Sequence, residues 1–155
     1  MIKKESGLIF ATQTGDAISL SDVPDPVFSA KVLGDGIAII PTDNEVKSPV
    51  NGEVKRIFDT NNAYSILSED GLEILVHIGL DTVELNGRGF TPKVKTGEHV
   101  KVGDTICEVD LALLNSEEYF IHTPIIVTNM DKVKKLTLHH GYTVAGKTVA
   151  LSYTL

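Results

Sequence analysis

The chain has 155 residues, of which 42% are hydrophobic and 23% are charged, and its formal net charge is −7. This balance is typical of one globular domain, which we expect to span residues 1–155 with a core over about 7–155. An acidic surface repels nucleic-acid backbones, so the charge argues against a nucleic-acid binder and is compatible with basic protein partners.

Short runs rich in β-branched residues, bounded by Gly, Pro, Asn or Asp, predict strands along the whole chain. Such a succession indicates an all-β fold, a flattened antiparallel β-sandwich or distorted barrel with short helical turns. The predicted strands are Gly7–Ala11, Ala17–Leu20 (after a turn at Thr14–Asp16), Gly36–Ile40, Gly52–Phe58, Asn62–Leu67, Leu72–Ile78, Thr105–Val109, Ile125–Thr128, Lys135–Leu138 and Val149–Tyr153.

Two short helical turns are expected between these strands. Asp25 followed by Pro26 places an N-cap before a proline at the first helical position, which predicts a turn over Asp25–Lys31. Asp110 caps a second short helix over Asp110–Leu114.

Three segments share one order of residues: a small residue, a turn led by Gly, and an alternating strand. They are Ala11–Ala17, Ser48–Val54 and Thr96–Asp104. The same order occurs in biotinyl- and lipoyl-type domains, so it favours duplicated hairpin units within one sandwich.

The single cysteine, Cys107, excludes an intramolecular disulfide and fits a reducing compartment. We interpret it as a small buried apolar residue of a strand. Residues Met1–Ser6 lack the apolar core of a signal peptide, and no apolar run is long enough to span a membrane. We therefore expect a cytoplasmic protein.

The segment Asn62–His77 predicts a β-hairpin, because two strand-like runs flank four turn residues, Ser68–Gly71. A symmetrical turn pairs Leu67 with Leu72, so the numbers of paired residues sum to 139. Asn62 is then expected directly across from His77.

Alternation along these two strands assigns their faces. One face is small and aliphatic, which predicts core, and it carries Ala63, Ser65, Leu67, Leu72, Ile74 and Val76. The other is mixed, which predicts a half-exposed surface, and it carries Asn62, Tyr64, Ile66, Glu73, Leu75 and His77.

His77, at the end of its strand, is the candidate reactive group. A neutral imidazole is a nucleophile near neutral pH, and one ring nitrogen can attack while a hydrogen bond holds the other. Phosphoryl transfer needs positioning and electrostatic help more than covalent chemistry from neighbours. Gly79 would leave room near the ring and free N–H groups for phosphate oxygens, and Asp81 could orient the ring or repel misplaced phosphate. A structural role for His77 fits the spacing alone equally well.

The stretch Val76–Phe90 resembles the signature of the glucose-class enzyme IIA family of the bacterial phosphoenolpyruvate-dependent sugar phosphotransferase system. Val23–Phe28, Leu33–Ala38, Ser48–Gly52 and Thr123–Met130 also match that family, in order along the chain. The resemblance runs from about residue 7 to the C-terminus, and it implies a flattened antiparallel β-sandwich.

The resemblance also implies a phosphotransferase component that carries phosphate on His77. His77 would receive the phosphoryl group from the phosphohistidine of the carrier protein HPr and pass it to a cysteine of an enzyme IIB for sugar uptake. Membrane contact would occur only through the permease, and no cofactor is implied. Cys107 is not the acceptor cysteine, because no Arg-rich loop follows it.

Members of the family often carry a second active-site histidine fifteen residues before the phosphorylated one. That position here is Asn62, the residue that the hairpin count also reaches. We expect Asn62, Thr60 and Asp81 to complete the catalytic set around His77. An amide can donate a hydrogen bond to phosphate, but it cannot shuttle a proton or carry positive charge. Acceptance should survive this change, whereas onward transfer is open; the alternative is a regulatory or transfer-impaired binding module.

An apolar docking surface around the phosphorylated histidine is a further implication of the resemblance. Exposure is easiest in the turn-rich segment that carries Val27, Phe28, Val32 and Leu33, and an apolar patch suits transient partners. For Phe58 we favour core packing. The expected docking positions are Asp25, Val27, Phe28, Val32, Leu33, Phe58, Leu75 and Gly79.

The other histidines carry less information. His99 is expected to be solvated in a turn, His122 precedes a strand, and His139 and His140 lie in a turn. No pair has an HxH or HxxxH spacing, so we expect no metal site. A metallopeptidase-like sandwich would need a cluster of His and Asp ligands, and a biotin or lipoyl carrier would need an exposed Met-Lys hairpin tip; the sequence has neither.

Overall fold

The computed structural model describes residues 6–155, which form fourteen β-strands and two short α-helices. The strands are β1 (Ser6–Phe10), β2 (Gly15–Ser19), β3 (Asp35–Pro41), β4 (Glu45–Lys47), β5 (Gly52–Ile57), β6 (Ala63–Ser68), β7 (Glu73–His77), β8 (Phe90–Pro92), β9 (His99–Val100), β10 (Thr105–Val109), β11 (Thr123–Val127), β12 (Lys135–Leu138), β13 (Gly141–Thr143) and β14 (Val149–Thr154). The helices are α1 (Pro26–Ser29) and α2 (Leu111–Ser116), and short 3-10 helices span Leu20–Asp22, Thr82–Leu85 and Met130–Lys132.

The strands form three antiparallel sheets. The largest has eight strands in the order β13-β2-β3-β11-β7-β6-β5-β9, and the smaller two have the orders β1-β14-β12 and β4-β10-β8. None of the sheets built from residues 6–155 closes into a barrel. The predicted flattened β-sandwich is therefore confirmed, while the duplication of hairpin units stays a prediction.

The predicted strands all correspond to observed ones, with boundaries that differ by up to two residues. Four strands, β4, β8, β9 and β13, were not predicted, because two or three residues are too few to show alternation. The expected turn at Thr14–Asp16 is misplaced, since β2 already begins at Gly15. Both helices and their caps are confirmed. Asp25 Oδ1 accepts a hydrogen bond from the backbone N–H of Val27 at 2.9 Å, and Asp110 Oδ1 accepts one from the backbone N–H of Leu113 at 3.1 Å.

The β6–β7 hairpin closes one residue away from the predicted register. The backbone N–H of Ser68 donates to the carbonyl of Leu72 at 2.8 Å, and the N–H of Leu72 donates back to Ser68 Oγ at 2.9 Å. The loop is thus three residues long and ends at Gly71, which adopts a left-handed φ of 94°. The numbers of paired residues consequently sum to 140, and His77 faces Ala63 rather than Asn62.

This shift of one residue exchanges the two faces of β6, because side chains alternate along a strand. Tyr64 and Ile66, which were expected on the open face, are fully buried. Ser65 and Leu67, which were expected in the core, are partly exposed. The face assignment of β6 was therefore wrong, while that of β7 holds for Ile74 and for His77 itself.

Two apolar clusters cover opposite faces of the eight-stranded sheet. The main core draws on all three sheets and includes Ile9, Val46, Ile66 and Leu151. The second cluster, which we call the site-side cluster, comprises Leu20, Val23, Phe28, Ala38, Ala63, Leu75, Leu80 and Ile126.

Strand β11 shows how these clusters divide the sheet. All five of its residues are buried, as expected of a central strand that is covered on both faces. Ile125 and Val127 lie in the main core, whereas Ile126 lies in the site-side cluster. Because β7 is the neighbour of β11, Leu75 also joins the site-side cluster, and His77 follows it on the same face at the end of the strand.

Among residues 6–155, no helix is long and apolar enough to cross a membrane. Cys107 is fully buried in the main core, as predicted, and burial raises the pKa of its thiol to about 11.

Candidate functional site around His77

The imidazole of His77 is held in one tautomer by the backbone. Its Nδ1 lies 2.9 Å from the carbonyl oxygen of Gly79. A carbonyl can only accept a hydrogen bond, so Nδ1 carries the proton, and the lone pair of the neutral ring is on Nε2. His77 is half-buried, so the ring combines a fixed orientation with partial access.

The surroundings of the ring keep it uncharged. The buried ring of Phe28 packs against it with a centroid separation of 5.0 Å and an interplanar angle of 59°. Burial lowers the pKa of His77 below the ordinary histidine value, even though the Gly79 carbonyl and the carboxylates of Asp25 and Asp81 act in the opposite direction. At neutral pH the imidazole is therefore neutral and nucleophilic.

Gly79 is required at its position for two reasons. Its φ of 76° is a left-handed conformation, and a Cβ there would lie 2.5 Å from Thr82 Cγ2 and 3.2 Å from the carbonyl oxygen of Phe120. The turn that only glycine allows brings the Gly79 carbonyl back to the ring of His77.

The expected free N–H groups after His77 are a wrong prediction. The N–H of Ile78 donates to the carbonyl of Asn62 at 2.7 Å, and the N–H of Gly79 donates to the carbonyl of His122 at 3.0 Å. The sheet neighbours of β7 thus occupy these two donors, so they are not free for phosphate oxygens.

Asn62 and Thr60 lie together in a buried chain of hydrogen bonds. Thr60 Oγ1 donates to Asn62 Oδ1 at 2.7 Å, and Asn62 Nδ2 donates to Thr82 Oγ1 at 3.2 Å. The hydroxyl of Thr82 in turn donates to the carbonyl of Ile78 at 2.6 Å. Asn62 is only 1% exposed, so the amide braces the backbone next to His77. Thr82 was not anticipated, since nothing in its sequence context marks a hydrogen-bonding role.

Two acidic residues flank the ring from separate segments. Asp25 uses one oxygen to cap α1, and Asp81 is exposed in a left-handed conformation just before a 3-10 helix. Both act electrostatically on His77. The structure therefore brings together Asp25, Asp81 and His77 over more than fifty residues of sequence.

The expected docking positions separate into exposed and buried groups. Val27, Val32 and Leu33 are 43%, 69% and 40% exposed. Phe28 and Leu75 are instead buried, so their expected exposure on an open surface is wrong. Both belong to the site-side cluster, and the ring of Phe28 packs against that of His77.

Phe58 and two unpredicted residues complete the apolar surroundings. Phe58 is partly buried against the site-side cluster, with the guanidinium carbon of Arg56 4.3 Å from its ring centroid. Val83 and Phe120 are each 55% exposed. Val83 follows the turn at Gly79 in the sequence, and Phe120 lies across from that turn, where its carbonyl accepts from the N–H of Leu80. Val83 lies within the signature stretch, whereas Phe120 gave no sequence signal.

The other histidines have separate surroundings, although His139 and His140 are neighbours in the sequence. His99 is exposed in β9. His139 Nε2 forms a hydrogen bond with Ser152 Oγ at 3.0 Å, and His140 Nε2 forms one with Ser19 Oγ at 2.8 Å. His122 is different, since it lies across from Gly79, and sequence reasoning did not connect it with His77. Within residues 6–155, no group of three or more His, Cys, Asp or Glu side chains could hold a metal ion.

Known proteins resemble this chain over almost its whole length. Residues 8–133 match the family described as phosphoenolpyruvate-dependent sugar phosphotransferase system, EIIA 1. The PTS system glucose-specific EIIA component of Buchnera aphidicola subsp. Acyrthosiphon pisum is 46% identical over 144 residues, covering 93% of this chain and 89% of that protein. The protein of the same name from Haemophilus influenzae is also 46% identical, covering 93% and 87%. The solved structure of glucose permease IIA from Mycoplasma capricolum matches with a TM-score of 0.89 and 36% identity over 98% of both chains.

Proposed function

The chain belongs to the EIIA 1 family of the phosphoenolpyruvate-dependent sugar phosphotransferase system, and from that premise we propose that His77 carries its phosphoryl group. The chain is a phosphotransferase component, a phosphoryl carrier in sugar transport. The observation that carries the assignment to His77 is the hydrogen bond from Nδ1–H to the Gly79 carbonyl, because it leaves the Nε2 lone pair to attack.

The proposed donor is the phosphohistidine of HPr. The Nε2 lone pair of His77 attacks the phosphorus, an N–P bond forms, and the donor's N–P bond breaks with its electron pair returning to the donor imidazole. The lowered pKa supports this step, since the ring need not lose a proton before it attacks. Asp25 and Asp81 beside the ring, in a chain of net charge −7, favour a donor with a basic surface.

The proposed acceptor is a cysteine of an enzyme IIB belonging to a sugar permease. Its thiolate attacks the phosphorus, an S–P bond forms, and the electron pair of the N–P bond returns to Nε2. Because Nδ1 still carries its proton, the released His77 imidazole is neutral and needs no further proton. Exposed Val27, Val32 and Leu33 offer the apolar contact area that a transient partner uses.

We also propose that residues 1–155 work as one domain, which the shared main core of the three sheets supports. In the proposed relay the protein is cytoplasmic and meets the membrane only through the permease.

A regulatory module that retains its phosphate is the second candidate, and Asn62 favours it. The amide cannot carry positive charge, and both its oxygen and its nitrogen are engaged with Thr60 and Thr82. This candidate predicts that label enters the protein but does not leave it.

One labelling experiment separates these functions. Enzyme I, HPr and labelled phosphoenolpyruvate are added first, and an enzyme IIB is added afterwards. We expect acid-labile label on the wild type, label absent from His77→Ala, and normal label on His99→Ala, whose histidine is exposed in β9. No label on the wild type, or label that persists on His77→Ala, would contradict the assignment.

A further inference from the structure

His122 approaches His77 from the strand opposite to Asn62. In the sheet, β7 lies between β6 and β11. The β7–β11 register pairs Leu75 with Ile126, so paired numbers sum to 201. The hydrogen bond from Gly79 N–H to the His122 carbonyl continues that register beyond the end of β7. His122 therefore faces the same glycine whose carbonyl holds the ring of His77.

The two histidines share one face of the sheet. Ile126 belongs to the site-side cluster, and alternation along the strand places Pro124 and His122 on the same side as Ile126. Leu75 and His77 are on that side of β7 for the same reason. His77, at the end of β7, and His122, directly before β11, are thus diagonal neighbours, with Cβ atoms about 7–8 Å apart or less. A phosphoryl group between two imidazoles fits that separation.

The His122 ring has unused hydrogen-bonding capacity. Its Nδ1 is buried and finds no hydrogen-bond partner among residues 6–155. The exposed ring of Phe120 meets it edge-on at a centroid separation of 5.7 Å and an angle of 73°. A buried polar atom without a partner costs free energy, so it calls for an explanation, and a catalytic role is one.

No carboxylate within residues 6–155 acts appreciably on the pKa of the His122 ring. The titratable groups that face this region come from three places. His77 is on β7, and Asp16 is on β2, two strands away. The cleft beside Phe120 contributes Asp81, Glu84, Glu117 and Glu118. Burial is what lowers the pKa of His122, so its ring is neutral when His77 is unphosphorylated.

We propose that His122 is the second imidazole of the phosphoryl site, and that its ring donates a hydrogen bond to the phosphoryl group on His77. This inference rests on the proposed role of His77 as the phosphoryl carrier. The backbone N–H groups of Ile78 and Gly79 are already engaged, and the Asn62 amide is held by Thr60 and Thr82, so these groups leave room for a further donor at the site. His122, directly before β11, provides such a donor.

The same contact explains how the phosphate can leave. During transfer, charge spreads over the three equatorial oxygens of the phosphoryl group, and a donor placed beside them stabilises the transition state. A dianionic phosphoryl group also favours the protonated form of a nearby imidazole. Phosphorylation of His77 should therefore raise the pKa of His122, which a histidine distant from the phosphoryl group would not show.

The test compares discharge of phospho-His77 to an enzyme IIB in five proteins. They are the wild type, His122→Leu, His122→Gln, the double variant Asn62→His with His122→Leu, and His99→Leu as the matched control. Thermal unfolding of each variant verifies that it is folded. The nitrogen chemical shifts of the His122 ring are recorded before and after phosphorylation of His77.

We expect His122→Leu to slow discharge about 10²-fold, as loss of one transition-state donor typically does. His122→Gln, which keeps an N–H donor, should lie between Leu and wild type, and Asn62→His should restore discharge in the double variant. A wild-type discharge rate in folded His122→Leu would overturn the inference, as would unchanged His122 nitrogen shifts after phosphorylation. If wild-type His77 takes no label at all, the proposed function fails and this inference fails with it.

Discussion

The β6–β7 hairpin has two faces that differ in almost every physical respect. On the core face, Tyr64, Ile66, Ile74 and Val76 are fully buried in the main core. On the site face, Leu75 belongs to the smaller site-side cluster, and the strand then ends at a half-buried histidine. One ladder of hydrogen bonds therefore supports both a closed apolar interior and a partly accessible histidine ring.

The contrast shows how the molecule separates stability from chemistry. Substitutions on the core face should change the free energy of unfolding while leaving the reaction of folded protein unaltered. Substitutions of exposed residues on the site face should do the opposite. Gly79 is the exception, because its turn serves both the backbone and the His77 ring.

The largest expected effect on stability comes from Ile74→Ala on the core face. Removing a fully buried isoleucine side chain leaves a cavity and should cost about 2–5 kcal/mol of the free energy of unfolding. Urea denaturation measures the loss. The rate of phosphoryl acceptance, measured below the unfolding transition, should match the wild type; a tenfold slower rate in folded protein would break the division between the faces.

Gly79→Ala should affect both properties. A left-handed conformation costs an alanine about 1–2 kcal/mol, and its Cβ would crowd Thr82. The turn must then shift, which moves the carbonyl away from His77 Nδ1. We expect a lower midpoint of thermal unfolding together with a mixture of His77 tautomers, read from ring nitrogen shifts. A single unchanged tautomer would show that the turn does not hold the ring.

Acid should destabilise the protein partly through the site face. The folded-state pKa of His77 lies below its unfolded value, so in acid the unfolded chain binds more protons than the folded chain. The stability that the neutral His77 ring contributes is fully present above the pKa of the unfolded state. It is lost as the pH falls through the pKa of the folded state. His77→Gln should therefore lose less stability than the wild type between pH 7 and acid, measured by denaturation at each pH. Equal losses would contradict the assigned burial of the ring.

The smallest expected effect on stability belongs to Val32→Ser. Val32 is 69% exposed, so its replacement should change the free energy of unfolding by at most about 0.5 kcal/mol. If it docks partners, the KM for phosphorylated HPr should rise while kcat stays constant. An unchanged KM would remove Val32 from the docking surface, and Val144→Ser, the same change at an exposed valine that follows β13, is the matched control.

The ten longer strands and both helix caps could be predicted because each depends on local residue patterns, whereas His77 was selected through the resemblance of Val76–Phe90 to a known family. The register of the β6–β7 hairpin could not, because Ser68 Oγ takes the place of a backbone partner and makes the loop three residues long. That one shift moved Tyr64 and Ile66 from the predicted surface into the core.

The rest of the site could not be predicted because sheet order assembles it. Phe28 and His122 are each more than forty residues from His77 in the sequence. Only the order β3-β11-β7-β6 places His122 across from Gly79, and only packing of α1 against the sheet brings Phe28 onto the ring.

The most direct test of the central claim is the site of the phosphate on the His77 ring. The protein is labelled with ¹⁵N-histidine, phosphorylated by HPr, and examined for coupling between ³¹P and the ring nitrogens. The account predicts coupling to Nε2 of His77, with Nδ1 still protonated and bonded to the Gly79 carbonyl. Phosphate on Nδ1, or on any other histidine, would contradict it.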